Sequence, residues 1–461
     1  MNPLPQIAIE ALEAQFHGRI ILPDEADYDE VRQIWNAMID RRPAIIAQCT
    51  SPDDVVSAVQ FAKANKLLTS VRGAGHNIAG NAICDDGIMI DLSPMKKVDI
   101  DPDKQTATVE PGCTLAEFDA AAQKHGLATP IGINSTTGIA GLTLGGGFGW
   151  LSRKHGMTID NLLSAEVVLA DGRQLHASET KNKDLFWGLR GGGGNFGIVT
   201  RFEFQLHPVG PNVLTDLIVF PFAEAKSVLT QFARFTETMP EEFSVWAITR
   251  KAPPLPFLPE EVHGKEIVIL ALFYIGDPEK GEKQIESLRK FGTVCGEFVG
   301  IQPYIDWQQA FDPLLTPGAR NYWKSHNFLQ LEENTIDAAI EYAGKLPTPQ
   351  CEIFIASIGC QTTRIAPEAT AYSSRDANYV MNVHARWESP DDDEKCIKWA
   401  RDFFAKTLPF ASGGAYVNFM TQEESDRVAS AYGTTYKKLV KIKNKYDPEN
   451  FFRMNQNIKP S

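Results

Sequence analysis

The sequence lacks an excess of positive charge and any long hydrophobic run. Among its 461 residues, 45 Lys and Arg stand against 58 Asp and Glu, which gives a formal net charge of −13. A surface of this sign repels phosphate backbones, so we expect no nucleic-acid partner. The longest uninterrupted apolar run, residues 267–275, is nine residues long, whereas a helix needs about 20 to cross a bilayer. This run predicts a buried strand, and we expect no membrane partner.

Cysteine is scarce and scattered along the chain. There are seven cysteines, with no CxxC pair and no Cys/His spacing typical of zinc, which argues against a disulfide framework and a structural metal. The N-terminal segment carries Glu10 and Glu13 inside its apolar pattern, which indicates a surface helix rather than a signal peptide. We therefore expect reduced thiols and a cytoplasmic protein.

P-loop, HExxH and GxSxG motifs are also absent, which weakens NTPase, zinc-peptidase and serine-hydrolase hypotheses.

Length and local patterns predict more than one domain. Residues 41–210 read as short strands that alternate with helices, and Thr114 with Glu117 forms a capping box that predicts a helix start. The sequence of residues 166–176 predicts two strands joined by an Asp-Gly turn, and the alternation in 199–206 predicts another strand.

A loop signal at residues 208–211 marks the expected start of a second domain, because longer strands and helices without glycine clusters follow it. The predicted strand 378–387 places Asn382 and His384 on one face. We expect that face to look toward solvent or a pocket.

Glycine has an average abundance but an uneven distribution. Six of the 35 glycines lie between positions 138 and 149, and five lie between 191 and 197. Glycine lets backbone N–H groups converge on an anionic group, as in a phosphate nest, although ordinary turns would explain each cluster alone. The 191–197 cluster formally satisfies GxGxxG, but a predicted helix precedes it and a strand follows it. This order is the reverse of a dinucleotide-binding unit and disfavours an NAD-linked dehydrogenase.

Taken together, the motifs resemble a known family. The sequence is similar to FAD-linked oxidoreductases of the vanillyl-alcohol-oxidase (PCMH-type) fold, within them the berberine-bridge-enzyme-like proteins. It is closest to their bacterial-type branch, which includes 6-hydroxynicotine, oligosaccharide and polyketide oxidases. The segments that carry the resemblance are residues 72–77 (RGAGHN), 86–93, 141–147, 160–161, 185–197, 322–325 (YWKS) and 450–460.

The resemblance implies an α+β fold. A two-subdomain, PCMH-type FAD-binding domain is expected over residues 1–209. An α+β substrate domain with an antiparallel sheet is expected over 210–410. A C-terminal segment, 411–461, is expected to return to the FAD domain.

The resemblance also implies the cofactor, FAD, and its attachment. His76 matches the histidine that bonds the flavin 8α-methyl carbon, and Asn134 stands where many relatives carry a second, cysteinyl attachment. We therefore expect a single covalent bond, through His76. The other residues expected to contact FAD are Arg72, Gly73, Ala74, Gly75, Asn77, Thr137, Gly138, Gly141, Gly145, Gly146, Gly147, Asn161, Gly197, Val199, Asn455 and Asn457.

The resemblance leaves several candidates for the catalytic base. The family's Tyr-x-Asn-Tyr segment ends here in Phe419, and phenylalanine has no proton to exchange. His384, which titrates near neutrality, and Tyr416 are the main alternatives. Asn382, at another family position, can orient a substrate but cannot act as a base. Tyr322, together with Lys324, is a further candidate, and packing is an equal explanation for each of these residues.

The function implied is that of an FAD-dependent oxidase or dehydrogenase. It would take hydride from an alcohol, sugar or amine C–H bond of a small molecule and pass the electrons to O2 or another acceptor. The loss of the usual tyrosine keeps an alternative open, a flavin-binding carrier or sensor with little or no redox turnover.

Overall fold

The fold is described from a computed structural model, which covers residues 4–461 of the chain. The helices are α1 Gln6–Glu13, α2 Tyr28–Val31, α3 Pro52–Ala64, α4 Leu115–Gln123, α5 Ile139–Leu144, α6 Ser152–His155, α7 Lys183–Leu189, α8 Ala225–Thr238, α9 Pro278–Arg289, α10 Tyr304–Gln309, α11 Glu333–Ala343, α12 Gln361–Arg364, α13 Asp393–Thr407, α14 Val428–Tyr432 and α15 Tyr436–Tyr446. The strands are β1 Arg19–Ile21, β2 Ile45–Gln48, β3 Thr69–Arg72, β4 Ile88–Asp91, β5 Val98–Asp101, β6 Thr106–Val109, β7 Leu127–Ala128, β8 Leu162–Val168, β9 Gln174–Ser178, β10 Ile198–Gln205, β11 His207–Pro208, β12 Asn212–Pro221, β13 Phe243–Lys251, β14 Glu266–Tyr274, β15 Gly296–Pro303, β16 Arg320–Phe328, β17 Glu352–Ser357 and β18 Tyr379–Trp387.

Local sequence explains where several of these elements begin. Ser51 caps α3 by accepting a bond from the Asp54 backbone, and a proline follows it at the first helical position. Thr114 and Glu117 form the predicted capping box at the start of α4. The strand pair β8 and β9, the strand β10 and the buried strand β14 are confirmed as well.

The strands form four sheets. The first has the order β1-β2-β4-β3, in which β2, β4 and β3 run parallel. The second has the order β5-β6-β10-β8-β9 and is antiparallel. Strands β7 and β11 form a two-stranded ribbon. The last sheet is antiparallel, with seven strands in the order β15-β12-β14-β13-β17-β18-β16, so the predicted α+β fold is confirmed.

The two faces of the seven-stranded sheet have different neighbours. Helices α8, α9, α11 and α13 pack against one face, and together they enclose the largest apolar core. The opposite face looks toward the first half of the chain and toward a cavity. The C-terminal residues, from Ala415 to Ile458, pack into the core of the five-stranded sheet. None of the helices in residues 4–461 combines the length and apolar character that a membrane span requires.

Candidate cofactor and substrate site

A cavity of about 440 Å³ lies between the glycine-rich loops of the first half of the chain and the seven-stranded sheet. Twelve of the predicted FAD-contacting residues line it, and they come from four separate segments of the chain. These residues are Gly73, Ala74, Gly75, His76, Asn77, Asn134, Thr137, Gly138, Gly141, Gly197, Val199 and Asn455. The fold thus brings together segments that are far apart in the sequence.

Glycine makes room along this cavity at defined places. A Cβ atom added at Gly141 or Gly194 would meet no protein atom within 4 Å, and both residues line the cavity, so it would project into open space. Gly138 allows a close approach, because its Cβ would lie 2.8 Å from the Ala74 backbone nitrogen. Gly75 has φ of 75°, which only glycine adopts without strain. The loops therefore form a cradle without side chains.

Three of the predicted cofactor residues lie outside the cavity, and two of them, Arg72 and Asn161, support the loops. Arg72 donates to Asp91 at 3.0 and 2.6 Å and so joins β3 to β4. Asn161 donates to the His155 and Met157 carbonyls at 2.9 Å. The Oδ1 atom of Asn457 is buried without a hydrogen-bond partner.

Gly145, Gly146 and Gly147 also lie beside the cavity rather than on its wall. The side chain of Asn418 packs against Gly145, where an added Cβ would lie 2.2 Å from Asn418 Oδ1. The backbone N–H of Gly147 donates to the hydroxyl of Tyr416 at 3.0 Å. These glycines position Asn418 and Tyr416 instead of lining the cavity themselves.

His76 lies at the edge of the cradle with one ring nitrogen engaged. Its Nε2 atom is 2.9 Å from the Thr136 hydroxyl, and its ring stacks on Trp35 with centroids 4.9 Å apart. Burial lowers the pKa of His76 to about 3, which keeps the ring neutral. A neutral imidazole has one nitrogen with a free lone pair, so His76 can act as a nucleophile.

Thr136 and Asn134 determine which nitrogen of His76 carries the proton. The Thr136 backbone N–H donates to Asn134 Oδ1 at 3.1 Å, which fixes that atom as the acceptor. The Thr136 hydroxyl donates to the same Oδ1 at 2.7 Å, so it has only lone pairs to offer His76. Nε2 of His76 therefore carries the proton and donates to Thr136. Nδ1 is left as the free nitrogen.

Tyr416 lines the cavity with its hydroxyl already accepting two hydrogen bonds. The donors are the backbone of Gly147 at 3.0 Å and the Nδ2 atom of Asn418 at 3.1 Å. Burial nevertheless raises the pKa of Tyr416 to about 12, so its proton is retained at neutral pH. Tyr416 can donate a hydrogen bond to a ligand, but it is a poor proton acceptor.

His384 lines the cavity from β18 and belongs to a polar row that crosses the seven-stranded sheet. Cross-strand pairing places Arg250, Glu352, His384 and Trp323 side by side on β13, β17, β18 and β16. Arg250 donates to Glu352 at 2.9 Å, and the Nδ1 atom of His384 lies 3.2 Å from Glu352 Oε1. We call these four residues the polar row.

The protonated form of His384 has an acceptor on both sides. Nδ1 faces Glu352, and Nε2 lies 3.2 Å from the Oδ1 atom of Asn321, which also accepts from Arg386. Burial lowers the pKa of His384, and the Glu352 carboxylate opposes that shift. His384 is therefore a neutral side chain whose gained proton would be stabilised by existing neighbours.

The other predicted catalytic residues lie off the cavity. Tyr322 and Lys324 occupy the opposite face of β16 from Trp323, and Tyr322 donates its hydroxyl to Glu423. Lys324 pairs with Glu423 at 2.8 Å. Asn382 is fully buried, and neither polar atom of its amide has a partner in the described chain.

The sequence reasoning missed Trp323, Glu352 and Arg250. Strand alternation gives a signal for them, since Trp323 must face opposite to its neighbours Tyr322 and Lys324. Charged residues at the ends of otherwise apolar strands, as at Arg250 and Glu352, are a second signal.

Comparison with known proteins agrees with this geometry. The family model "FAD binding domain" matches residues 43–178, and "Berberine and berberine like" matches 415–459. An FAD-linked oxidoreductase of Dictyostelium discoideum is 32% identical over 99% of this chain and 97% of its own. The chain belongs to the berberine-like FAD-linked oxidoreductases. It is an FAD-dependent enzyme, which excludes the NAD-linked alternative.

Characterised relatives of this oxidoreductase include oxidases of small molecules. The (R)-6-hydroxynicotine oxidase of Paenarthrobacter nicotinovorans is 29% identical, with 98% of each chain covered. The structure of 6-hydroxy-D-nicotine oxidase from Arthrobacter nicotinovorans has a TM-score of 0.87 at 28% identity, covering 97% and 98% of the two chains. A glucooligosaccharide oxidase of Acremonium strictum, whose FAD is 6-S-cysteinyl and 8α-N1-histidyl, shares the fold with a TM-score of 0.88 at 23% identity, covering 98% and 99%.

The residues present fit FAD. The open space beside Gly141 and Gly194 accommodates a group that approaches the backbone closely. The Oδ1 atom of Asn455, which lines the cavity, is buried and lacks a partner within the chain, so it is available to an N–H donor of a bound group. In residues 4–461 no cluster of three or more His, Cys, Asp or Glu side chains is arranged to hold a metal ion.

Proposed function

We propose that this oxidoreductase holds FAD through a single covalent bond from His76 and oxidises a C–H bond next to an oxygen or nitrogen of a small molecule. O2 or another acceptor then takes the electrons. The supporting observation is that the glycine cradle with His76 and the polar row with His384 line one cavity. Bound FAD supplies a two-electron acceptor. The chain supplies attachment, orientation and the movement of a proton.

The attachment proposal rests on the free Nδ1 atom of His76. Because Thr136 and Asn134 hold the proton on Nε2, Nδ1 presents its lone pair. The new bond would replace one hydrogen of the flavin 8α-methyl group. The two electrons released by this oxidation would pass to the same acceptor that the enzyme uses in turnover, and the two protons would pass to solvent. A second, cysteinyl bond is not available at Asn134 because that side chain has no thiol.

We further propose that His384 accepts the substrate proton. Its neutral ring lies on the cavity wall with Nδ1 facing Glu352 and Nε2 facing Asn321. A substrate that gives its proton to Nε2 would take the place of Asn321 there, and Glu352 would stabilise the charge that the ring gains. Tyr416 instead donates a hydrogen bond, since its raised pKa keeps it protonated. The side chains of Phe419, Phe148 and Trp246 pack on one another and make this end of the cavity apolar.

The experiment is an anaerobic titration of the purified, yellow protein with alcohols, sugars, amines and aromatic acids that carry an oxidisable side chain. Bleaching of the flavin absorbance by any of them supports the oxidoreductase reaction proposed. If none bleaches it while dithionite does, the protein binds flavin without substrate oxidation and the proposal is wrong. Precipitation with acid tests attachment separately, because covalently bound flavin stays in the pellet.

A further inference from the structure

The part of the cavity that the seven-stranded sheet and its loops line is apolar except at three side chains. Between residues 212 and 410, all of which the structure describes, the only ionisable side chains that line the cavity are those of Arg250, Glu352 and His384. All three belong to the polar row. The other lining residues of this stretch are aliphatic or aromatic, or are proline and alanine.

The apolar part is itself a cross-strand row. Pairing places Val219, Ile269, Ile248 and Phe354 side by side on β12, β14, β13 and β17, one pleat away from the polar row. A loop that follows β13 adds Leu255, Phe257 and Leu258 to the same wall. We call these seven residues the apolar wall.

An apolar wall of this kind selects against polyhydroxylated ligands. A hydroxyl that is buried without a hydrogen bond lowers affinity, and an oligosaccharide would bring several hydroxyls against side chains that cannot bond them. A flat or branched hydrocarbon body gains from the same contact, because it leaves water.

Arg250 provides one unused donor at the border between the two rows. Its Nη1 atom donates to Glu352 at 2.9 Å and its Nε atom to the Lys251 carbonyl at 3.3 Å, whereas Nη2 has no partner in the described chain. Glu352 already accepts from Arg250 and faces His384, so its oxygens are engaged. Arg386 adds a second positive charge on the same face of β18. With His384 neutral, two arginines against one carboxylate leave this buried group with an excess of one positive charge.

We propose that the substrate has an apolar ring body and one acidic oxygen, a carboxylate or a phenolate, that accepts from Arg250. This inference rests on the proposed function only in placing the substrate in this cavity. The ring body lies against the apolar wall, and the acidic oxygen balances the positive charge that Arg386 adds beside the polar row.

The test is equilibrium binding of probes that cannot be oxidised, followed by the change in flavin absorbance of the FAD-loaded enzyme. Benzoate and 4-nitrophenolate represent the proposed ligand. Benzamide lacks the charge, acetate lacks the ring, benzylamine has the opposite charge and cellobiose is a sugar. We expect benzoate and 4-nitrophenolate to bind at least about ten-fold more tightly than each of the other four, since a charged hydrogen bond accounts for about ten-fold or more.

Variants separate the two rows. Arg250→Gln should weaken benzoate binding about ten- to one-hundred-fold, while the matched variant Lys251→Gln, at the adjacent position paired with Glu266, should leave it unchanged. Ile269→Thr keeps every charge and should weaken benzoate and benzamide alike, but not acetate. If Arg250→Gln does not fold, Ile269→Thr still tests the apolar wall.

Tighter binding of cellobiose or benzylamine than of benzoate would overturn the inference, as would an Arg250→Gln protein that binds benzoate like the parent. These binding measurements do not require the enzyme to oxidise the probe. Failure of every compound to bleach the flavin would instead contradict the proposed oxidation and leave the binding result intact.

Discussion

His76 makes one polar contact with the rest of the chain, through Nε2. That contact passes through the Thr136 hydroxyl to the amide of Asn134, over distances of 2.9 and 2.7 Å. A single hydroxyl therefore decides which nitrogen of His76 is free to react. The same Asn134 that removes the possibility of a thiol bond thereby supports the histidyl bond.

Thr136→Val should therefore reduce covalent attachment without emptying the site. Valine has a similar shape but cannot accept the Nε2 proton, so the two tautomers of His76 become mixed. We expect a lower fraction of flavin in the acid-precipitated pellet, or slower incorporation of added FAD. Thr136→Ser, which keeps the hydroxyl, is the control and should attach flavin like the parent, and His76→Ala should bring the pelleted flavin to zero. Full attachment in Thr136→Val would show that the Thr136 hydroxyl has no role in forming the covalent bond.

The pH dependence of flavin reduction should follow His384. Its pKa lies below the ordinary value for histidine because of burial, and the neutral form is the proton acceptor. The rate should therefore be flat near neutrality and fall only as the pH drops through this lowered pKa. His384→Gln should remove that acid limb and slow reduction about 100-fold. His326→Gln, whose ring bonds the Phe404 carbonyl away from the cavity, is the matched control.

Tyr416→Phe gives a contrasting expectation. Because the pKa of Tyr416 is raised to about 12, the hydroxyl stays protonated between about pH 5 and 9 and contributes no limb to the profile. The substitution should weaken substrate binding and leave the shape of the pH profile unchanged. Loss of an alkaline limb in stopped-flow reduction would show instead that Tyr416 exchanges a proton.

At the scale of elements, a buried carboxyl joins α4 to α10. Asp119 of α4 accepts from Gln308 of α10 at 3.0 Å, and burial raises the pKa of Asp119 to about 7. A group with a raised folded-state pKa stabilises the fold below its unfolded pKa and loses that contribution as the pH rises through the folded value. The contact between the two helices should therefore weaken between about pH 4 and 7.

Asp119→Asn should remove this dependence. At pH 8 we expect the variant to be more stable than the parent by an amount on the order of 4 kcal/mol, because the pKa of Asp119 is about 7 in the folded protein and about 4 in the unfolded chain. Below about pH 4 the two proteins should have equal midpoints of thermal unfolding. A constant difference at every pH would mean that Asp119 stays charged in the folded protein.

The sequence predicts helices, strands and glycine loops better than it predicts which side chains meet across the sheet. Caps such as Thr114 with Glu117 act within one turn, so local sequence sets α4, and strand alternation sets β10 and β14. The glycine loops and His76 are recognisable because the backbone itself forms the cradle. Arg250, Glu352 and Trp323 were missed because their meeting depends on cross-strand register, which long-range pairing fixes and no local pattern reveals.

In the whole molecule, a buried lysine of the C-terminal segment bonds the first half of the chain, and its charge is paired within the segment itself. Lys443 and Asp447 are fully buried 2.6 Å apart, and Lys443 also donates to the carbonyls of Asn195 and Phe452. Asp447 accepts from the backbone of Phe451 and Phe452. We propose on this basis that residues 411–461 complete a cofactor domain formed by 1–209, with 210–410 as the substrate domain.

Lys443→Ala should consequently loosen the tail that carries Asn455. It leaves Asp447 buried and unpaired, which costs about 3 kcal/mol. We expect a lower thermal midpoint and easier loss of flavin that is not covalently bound, measured in the His76→Ala background. Lys445→Ala removes only an exposed pair with Asp184 and should change the midpoint little. Equal midpoints for both variants would contradict this role.

The strand residues of the polar row and the apolar wall point away from the helix-covered face of the sheet, and the rest of the wall lies in a loop after β13. A substitution at a cavity-facing position therefore leaves the packing of α8, α11 and α13 intact, and it lies outside the segments that form the glycine cradle. Ligand preference and cofactor retention therefore depend on different stretches of sequence. Substitutions at alternate, cavity-facing strand positions can change ligand preference while the residues that retain the cofactor stay constant.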